Sequence, residues 1–498
     1  MKKILLLISL LSILKFGICQ SLNIDNVGGA TKNSFQPIIE QGIVKGYFLI
    51  FFLDQYTETG NLLDLKIYDL NLKQTHSIEL IRNKDEQLID GVFNGEKFCF
   101  AFYNIKSKYI DYLILDKKGE VSGSYVVNEL TDLEIQYLVI CAASKNDNYF
   151  GLLAPVEKKG FLRYGIKAKK GDMFGIQKDM RIQLEVFSNE GEVLWTKGTE
   201  LIGKKIWESA DHLFSNEKYI VTSILFRNGL MATNCKNYLL CSSAETGKEL
   251  YSLEINKENT FLSYTGINYD EISGDFFCYG EYYDGEINYK NKSLGLFIKT
   301  INASNGEVKK ECFISWKKDI NPFLQKKGIS KEVLGRNINI HKILRTDDGK
   351  IFAITEQFGK NDTTNSLFLY DLITFEFSNE LSILNADIIN KASDTYFNSK
   401  YSGGSRENLT VRCNFDYFLT SVSINKKNFT SVYKIQENNK YYIGSFTYKD
   451  QHFSYDKILR TGNPIIFNIL PGKVVYITIF EYYDKEKRIA IRHEKLNI

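Results

Sequence analysis

The sequence predicts an all-β fold, a β-propeller built from four-stranded antiparallel blades. Aromatic residues favour half-buried pleated surfaces, and they make up 14% of this chain, with 31 Tyr and 34 Phe. Eight apolar runs, each ending in a polar loop, recur along the chain. Glycines also recur between pairs of strand-like runs, at intervals of 72, 56 and 59 residues. These glycines are Gly119, Gly191, Gly247 and Gly306.

The eight apolar runs predict the number of repeats. From Asp54 to Glu481 they advance by 61 residues on average, 427 residues in seven steps, and a second strand-like run follows each one. A lone four-stranded sheet exposes two apolar faces, and radial stacking of sheets covers both and leaves only short edges. We therefore expect eight blades, with seven as the alternative. The runs are residues 48–60, 98–108, 149–160, 219–229, 276–286, 351–362, 417–428 and 474–485.

The recurring glycines fit the turn between the third and fourth strands of a blade. A short hairpin with a bulge needs a residue at positive φ, which glycine supplies at little steric cost. Residues 69–71 and 371–373 are expected to fill this turn without glycine. The last repeat ends after its third strand, so we expect residues 21–33 or 36–40 to supply the fourth and close the ring.

The chain begins with the pattern of a secretory signal peptide, residues 1–19. Two lysines precede the apolar run 4–14, which is too short to span a bilayer, and small residues stand before a cut at Gln20. Export to the periplasm or the extracellular space is therefore expected. Lipidation of Cys19 is not, because Phe16 and Ile18 do not match the usual lipid-attachment signal.

Residues 20–498 are then expected to form the propeller. Residues 384–408 read as a loop or linker with a glycine pair. The alternative is therefore a propeller over 20–384 and a separate β domain over 405–498. Residues 318–337 also depart from the repeat and predict a short helix after Ile329, with Ser330 as its N-cap.

Charge and cysteine content exclude several classes of function. Removing residues 1–19 takes away three lysines and no acids, leaving 60 basic and 60 acidic residues. A neutral chain does not favour nucleic acid as a partner, since that binding needs concentrated positive charge. The seven remaining cysteines form no CxxC pair, and most lie in apolar runs, so we expect them to be buried. Their disulfide state is left open. The histidine spacing predicts no metal site.

Two segments resemble the blade turns of quinoprotein- and WD-type propellers, in which an Asp-x-x-Thr-Gly turn precedes a docking tryptophan. Thr246 and Gly247 match the turn, and Ser243 stands in place of the aspartate. Trp195 matches the tryptophan in one repeat, and Tyr251 replaces it in another. The whole chain also resembles uncharacterised secreted propeller-like proteins of diderm bacteria. The resemblance implies propeller blades; most of the family's cofactor ligands are missing, so no cofactor is expected.

The most individual feature is a long hairpin at residues 158–181, where basic and apolar residues interleave. Loops on rigid scaffolds concentrate binding residues. We therefore interpret the protein as a non-catalytic scaffold that binds a protein or glycan of the cell envelope through one face and its long loops. No transmembrane segment is expected, and the oligomeric state is left open. The candidate binding residues are Lys158, Lys159, Phe161, Arg163, Tyr164, Lys167, Lys169 and Lys170.

The alternative is a hydrolase acting on glycans or peptides. Paired carboxylates can hydrolyse a glycosidic bond, and acidic residues recur near the hairpin tips of five repeats. No GxSxG elbow is present for a serine nucleophile. We therefore leave open whether the protein is an enzyme, and favour binding. The candidate carboxylate rim is Asp54, Glu157, Glu281, Glu356 and Glu481.

Overall fold

The fold was analysed in a computed structural model of the protein. The fold class predicted from the sequence is confirmed, since the strands form eight antiparallel sheets of four or five strands, the blades of a β-propeller. The predicted signal peptide lies outside the described residues. The structure describes residues 21–40, 43–58, 60–104, 106–131, 134, 153–168, 180–198, 207–227, 235–254, 260–284, 293–328, 336–361, 366–391, 395–398, 417–422, 427–437, 440–460, 462–472 and 476–496.

The chain divides into two compact units. Residues 1–84 and 461–498 form the first unit, with two blades, and residues 85–460 form the second, with six. Blade 1 consists of the second to sixth strands of the chain, with the third added beside the fourth. The N-terminal strands of the first unit are β1 (Ser21–Ile24), β2 (Val27–Gly29), β3 (Phe35–Glu40), β4 (Ile43–Tyr56), β5 (Asn61–Asp69) and β6 (Gln74–Arg82).

Blades 2, 3 and 4 of the second unit each contain four consecutive strands. Blade 2 comprises β7 (Glu86–Phe93), β8 (Phe98–Asn104), β9 (Tyr109–Leu115) and β10 (Val121–Val127). Blade 3 comprises β11 (Leu153–Val156), β12 (Gly160–Ala168), β13 (Met180–Ser188) and β14 (Val193–Gly198). Blade 4 comprises β15 (Trp207–Ser215), β16 (Tyr219–Arg227), β17 (Cys235–Ser243) and β18 (Glu249–Glu254).

Blades 5, 6 and 7 continue the same order, and β27 adds a fifth strand to blade 6 beside β25. Blade 5 comprises β19 (Thr260–Asp270), β20 (Asp275–Asp284), β21 (Gly295–Asn302) and β22 (Val308–Ser315). Blade 6 comprises β23 (Asn337–Arg345), β24 (Ile351–Asn361), β25 (Ser366–Phe377), β26 (Ile383–Ile389) and β27 (Thr395–Asn398). Blade 7 comprises β28 (Tyr417–Val422), β29 (Phe429–Glu437), β30 (Lys440–Lys449) and β31 (His452–Leu459).

Blade 8 belongs to the first unit and joins the two ends of the chain. Its strands are β32 (Ile466–Pro471), β33 (Tyr476–Tyr483) and β34 (Arg488–Lys495), and β1 pairs with β34 as the fourth. Ser21 lies opposite Arg492 and Ile24 opposite Ile489. The prediction that an N-terminal strand completes the last blade is therefore confirmed, from the first of the two segments considered.

The burial of successive strands explains the apolar runs of the sequence. All seven residues of β8 are buried, because a second strand is covered on both faces. The fourth strand β14 instead buries only Trp195, and its other residues are exposed or half-buried. Six of the eight predicted runs coincide with second strands. The runs at 149–160 and 417–428 correspond to the first strands β11 and β28, since a buried or half-buried first strand can have the same apolar pattern.

The four recurring glycines lie in the predicted turns between third and fourth strands. Their φ angles are +85°, +90°, +66° and +77° in chain order, a region that disfavours side chains. Leu72 occupies this conformation in blade 1 and Leu381 in blade 6. The segment 371–373, which the sequence predicted as the turn of blade 6, lies inside β25 instead.

Adjacent blades of the second unit are joined through these turns. The Trp195 ring packs against the next blade's turn so closely that a Cβ on Gly247 would lie 2.6 Å from it. Its indole Nε1 donates to the Ala244 carbonyl at 3.0 Å. Tyr251 packs on Gly306 of the following blade in the same way. Trp195 and Tyr251 therefore occupy equivalent positions against the turn of the following blade.

A helical segment connects β22 to β23. A π-helical turn, Trp316–Ile320, runs directly into the α-helix α1 (Asn321–Lys326). The Asp319 carboxylate accepts the Ser315 backbone N–H at 2.7 Å, and the Ser315 hydroxyl accepts that of Lys318 at 3.2 Å, so the first turn is capped from both sides. The helix predicted after Ile329 lies outside the described residues.

The segment predicted as a loop over 384–408 begins as a strand. β26 covers Ile383–Ile389 and pairs with β25 along its length, so the linker prediction is wrong for these residues. None of the helices among the described residues is long and apolar enough to cross a membrane.

Candidate functional site

The five acidic residues predicted to form a rim occupy different environments. Glu281, Glu356 and Glu481 lie inside the second strands β20, β24 and β33 and are almost fully buried. These three residues were predicted to lie at hairpin tips, and their burial inside strands shows that this prediction is wrong. Glu157 lies in the turn between β11 and β12, and Asp54 lies near the end of β4. These five carboxylates therefore do not share one exposed face.

Glu356 is the centre of a buried charged cluster in blade 6. Its side chain is 0% exposed, and one carboxylate oxygen accepts from Lys391 Nζ at 2.5 Å. The other oxygen lies 2.9 Å from His341 Nε2. Lys391 follows β26 and is itself 1% exposed, and its backbone N–H bonds to the Asp371 carboxylate at 3.2 Å. The cation therefore reaches Glu356 from a segment beyond the paired strands.

This cluster is arranged to keep Glu356 ionised. Burial raises the pKa of its carboxyl, but the Lys391 charge and the hydrogen bond from His341 outweigh that effect, so the pKa lies below its ordinary value. The His341 ring also stacks on Tyr417 with centroids 4.5 Å apart. An ionised carboxylate with both oxygens engaged by donors is poorly suited to act as a general acid.

The other buried acids also have partners. Glu481 bonds to the guanidinium of Arg492, which is also 2.9 Å from the Glu494 carboxylate. Glu281 accepts a hydrogen bond of 2.6 Å from the Tyr283 hydroxyl. These contacts compensate the cost of burying a carboxylate, and they account for the acidic residues in blades 5 and 8 without a catalytic role.

Two of the predicted binding residues lie in an exposed turn and form ion pairs there. Lys158 pairs with Glu217, and Lys159 lies 3.4 Å from the Glu245 carboxylate. Both acids belong to turns of blade 4. These lysines therefore bridge blades 3 and 4, and their charges are largely balanced within the protein.

Three further members of the predicted binding set lie in β12. This strand pairs with β13 from Gly160 opposite Ser188 to Ala168 opposite Met180, so residues 160–168 belong to the sheet. Phe161, Arg163 and Tyr164 are buried, which corrects their placement on a solvent-exposed loop. Lys169, Lys170 and the side chain of Lys167 lie outside the described residues.

Arg163 belongs instead to a polar network that joins blades 2 and 3. Its guanidinium lies 3.0 Å from the Glu185 carboxylate, and both side chains are buried. Glu185 also accepts from the Tyr125 hydroxyl at 2.5 Å and the Thr196 hydroxyl at 3.1 Å. Burial, followed by the hydrogen bond with Glu185, raises the pKa of Tyr125. This network is therefore part of the core.

The helical segment also carries a group of basic residues that no sequence motif singled out. Lys317, Lys318 and Lys326 are exposed, and none of them forms an ion pair with another residue that the structure describes. Residues 316–336 contain six basic and two acidic residues. That local excess of charge is the signal that could have identified them.

The cysteines that the structure describes are consistent with a role as buried apolar residues. Cys99, Cys241 and Cys278 are buried and Cys312 is half-buried, and none of these four forms a disulfide. Burial raises the pKa of the Cys241 thiol to about 11, which makes it a weak nucleophile. Over the described ranges, no group of three or more His, Cys, Asp or Glu is placed to hold a metal ion.

Solved structures of several different proteins are similar to this chain at low identity. One is prolyl oligopeptidase B from Galerina marginata, with 11% identity, a TM-score of 0.41, and coverage of 91% of this chain and 56% of that chain. The chain therefore spans little more than half the length of that peptidase. A hypothetical selenium-binding protein from Sulfolobus tokodaii has 10% identity, a TM-score of 0.36, and coverage of 81% and 88%.

A third similar structure is the quinohemoprotein alcohol dehydrogenase from Comamonas testosteroni, with 8% identity, a TM-score of 0.40, and coverage of 96% of this chain and 76% of that one. No curated protein matches the sequence. One protein-family model does match, over residues 1–368 and 358–497, which together span almost the entire chain. The protein therefore belongs to DUF6770, a family of unknown function.

Proposed function

We propose that this protein is an exported, non-catalytic scaffold that binds a protein or glycan of the cell envelope through the long connections at one edge of its blades. Connections from first to second strand and from third to fourth strand leave a blade at one end, here called the turn edge. Connections from second to third strand and from blade to blade leave at the other end, the loop edge. The proposal assigns binding to the loop edge.

The observation that carries the proposal is the difference between these two edges in the second unit. The turn from β13 to β14 has four residues, and that from β21 to β22 has five. On the loop edge, β12 and β13 are separated by 11 residues, and β22 and β23 by 21. Long connections on a rigid scaffold are where binding residues concentrate.

The polar groups of the turn edge bond to one another. In blade 3, the Asn189 side chain donates to the Lys158 carbonyl at 3.1 Å. In blade 4, the Ala244 N–H donates to the Lys218 carbonyl at 3.0 Å. A surface whose donors and acceptors are already paired has little to offer a partner, so the loop edge remains the better candidate.

Hydrolysis receives no support from the predicted carboxylates. Glu281, Glu356 and Glu481 are buried and hydrogen-bonded, and the pKa of Glu356 is lowered. A glycosidase needs one carboxyl group held protonated at working pH beside a second one. Binding is therefore the function that we propose.

The proposal can be tested by shortening one connection of the loop edge. Ala168 and Met180 are register partners, so residues 170–178 can be replaced by a short Gly-containing turn without disturbing β12 or β13. A deletion beginning at residue 160 would remove β12 and is unsuitable. We expect the far-UV circular dichroism and melting temperature to be unchanged, and capture of envelope proteins or glycans to fall.

A matched control alters the turn edge. The Lys158→Ser/Lys159→Ser variant changes exposed residues of the same blade and should keep full capture. Loss of capture in this variant, with normal capture after loop replacement, would reverse the assignment of the two edges and reject the proposal.

A further inference from the structure

The helical segment between blades 5 and 6 presents positive charge that the rest of the described chain does not balance. Lys317, Lys318 and Lys326 are exposed over 11 consecutive helical residues, a length of about 16 Å at 1.5 Å per residue. The acid within the segment, Asp319, is engaged in capping the first turn. Within the described ranges, these three ammonium groups lack a carboxylate partner.

Not every exposed lysine of the second unit shares this property. Lys158 pairs with Glu217, and Lys457 lies 2.7 Å from the Glu437 carboxylate. Exposed lysines in such pairs present little net field to a ligand, whereas unpaired ones attract an anion over roughly a Debye length, about 8 Å at physiological salt. The helical segment is thus a local source of positive potential.

The segment holds these charges on a fixed support. Trp316, Ile320 and Leu324 recur every four residues and are buried in the core between blades 5 and 6. The Trp316 indole N–H donates to the Ser293 hydroxyl at 2.7 Å. Because the backbone is anchored along its length, a ligand does not have to order it on binding, which lowers the cost of association.

The outward face lacks the apolar centre of a protein–protein interface. Its exposed positions besides the lysines are Asp319, Pro322 and Gln325, and Phe323 is half-buried with Lys327 Nζ 5.6 Å from its ring centre. A stable protein interface buries about 800 Å² on each side around an apolar core. Charge without such a core favours a linear chain of anionic groups over a folded partner.

We propose that this face, defined by Lys317, Lys318 and Lys326, binds a linear acidic polysaccharide through its carboxylates. The inference rests on the proposed binding function and specifies its ligand class. Lysine ammonium groups are point charges without a required approach direction, so they suit repeated carboxylates whose orientation varies along a flexible chain.

The test measures binding of polygalacturonate, a linear polyuronate, by titration calorimetry at low and high salt. The uncharged control is the same polymer with its carboxyl groups fully methyl-esterified. We expect binding of the charged polymer only, weakening as salt rises because counterions compete. The Lys317→Gln/Lys318→Gln/Lys326→Gln variant should bind the charged polymer at least about tenfold more weakly than the parent. Its melting temperature should be unchanged.

A charge-matched variant separates local recognition from net charge. Lys218→Gln/Lys248→Gln/Lys449→Gln removes three exposed lysines, two from turns of blade 4 and one from the end of β30 in blade 7. Its affinity should stay within about twofold of the parent by the same screening argument. Three outcomes would overturn the proposal. They are an equal loss of affinity in both triple variants, an unchanged affinity in the Lys317→Gln/Lys318→Gln/Lys326→Gln variant, and equal binding of the charged and the esterified polymers.

Poly-L-glutamate tests whether the ligand is an acidic protein and not a polysaccharide. Tighter binding of this peptide than of polygalacturonate at equal carboxylate concentration would replace the polysaccharide by an acidic protein. The outcome is separable from the proposed function, because loss of envelope capture on replacing residues 170–178 would stand even if the lysine variants bound polygalacturonate normally.

Discussion

Blades 3 and 6 each bury an ion pair, and the two pairs are built differently. In blade 3, Arg163 and Glu185 are direct register partners on neighbouring strands. In blade 6, the partner of Glu356 is Lys391, which follows β26 and is not part of the strand ladder that holds the glutamate. The first pair is a consequence of sheet register; the second depends on where a later segment of the chain comes to lie.

The two glutamates also differ in what would remain if the cation were removed. Glu185 would retain the hydroxyl groups of Tyr125 and Thr196 as donors. Glu356 would retain His341. Since an uncompensated buried charge is strongly destabilising, this comparison predicts unequal effects for two similar substitutions.

The largest effect is expected for Lys391→Met. The substitution leaves the Glu356 carboxylate buried without its counter-ion, which should cost about 3–5 kcal/mol in the free energy of unfolding. Urea unfolding followed by tryptophan fluorescence measures the change. The double variant Glu356→Gln/Lys391→Met removes both charges and should recover much of the loss, giving a clear coupling energy. Simple additivity of the two single effects would contradict this interpretation of the cluster.

Arg163→Met is expected to be less damaging. The hydroxyl donors that remain on Glu185 reduce the penalty, so we expect about 2–3 kcal/mol in the same urea experiment. Tyr125→Phe introduced beside it should enlarge the loss, because the carboxylate then loses a second donor. A cost for Arg163→Met above that for Lys391→Met would show that the neutral donors do not distinguish the two pairs.

A histidine that is hydrogen-bonded to a hydroxyl extends the comparison to the dependence of stability on pH. His212 in blade 4 is half-buried, with Nε2 2.9 Å from the Ser215 hydroxyl, and burial lowers the pKa of its imidazole to about 4. The unfolded chain, with a histidine pKa of about 6.5, binds more protons than the folded one between these values. Stability should therefore fall by about 2 kcal/mol as pH drops from 6.5 to 4.

The His212→Gln variant tests that assignment. Its free energy of unfolding should change less with pH over this range, since glutamine does not titrate and its amide can still donate to Ser215. His76→Gln, at an exposed position of β6, is the matched control and should keep the parental slope. Parallel profiles for the parent and His212→Gln would assign the acid sensitivity to other groups.

The smallest effect is expected at Asp54, a half-buried member of the predicted acidic set. Its ion pair with Lys487 is partly solvated, so Asp54→Asn should change stability by about 1 kcal/mol or less. Glu481→Gln, a buried residue of the same unit that bonds to Arg492, should cost more. If thermal unfolding gave similar losses of stability for Asp54→Asn and Glu481→Gln, burial would not determine how much each acidic residue contributes to stability.

The fold could be predicted from the sequence to a large extent because its signals are local. Gly119, Gly191, Gly247 and Gly306 mark turns that require positive φ, a restriction imposed by the sterics of a few consecutive residues. The register of the apolar runs was less certain. The predicted runs of blades 3 and 7 fell one strand early, since first and second strands both contact the core and carry a similar apolar pattern.

The candidate site could be predicted only in part. Lys158 and Lys159 were expected in a long hairpin over 158–181, and they lie instead in the short turn between β11 and β12. Their partners Glu217 and Glu245 are 59 and 86 residues away in the chain. Arg163 was interpreted as a loop residue, because a basic side chain in a buried strand looks no different in sequence from one in a loop. The exposed lysines of the helical segment were overlooked because, in sequence, a lysine that remains available to a ligand looks no different from one whose charge is balanced within the protein.

The amino-acid sequence by itself determined the repeating strands, the glycine turns and the N-terminal strand that completes the last blade, because backbone sterics and apolar periodicity act over short distances. Only the tertiary structure decided which charged residues are buried and which remain available to a ligand. Lys391 neutralises Glu356 and Glu217 neutralises Lys158 across gaps that no local pattern spans, and electrostatic energy depends on those distances in space rather than along the chain.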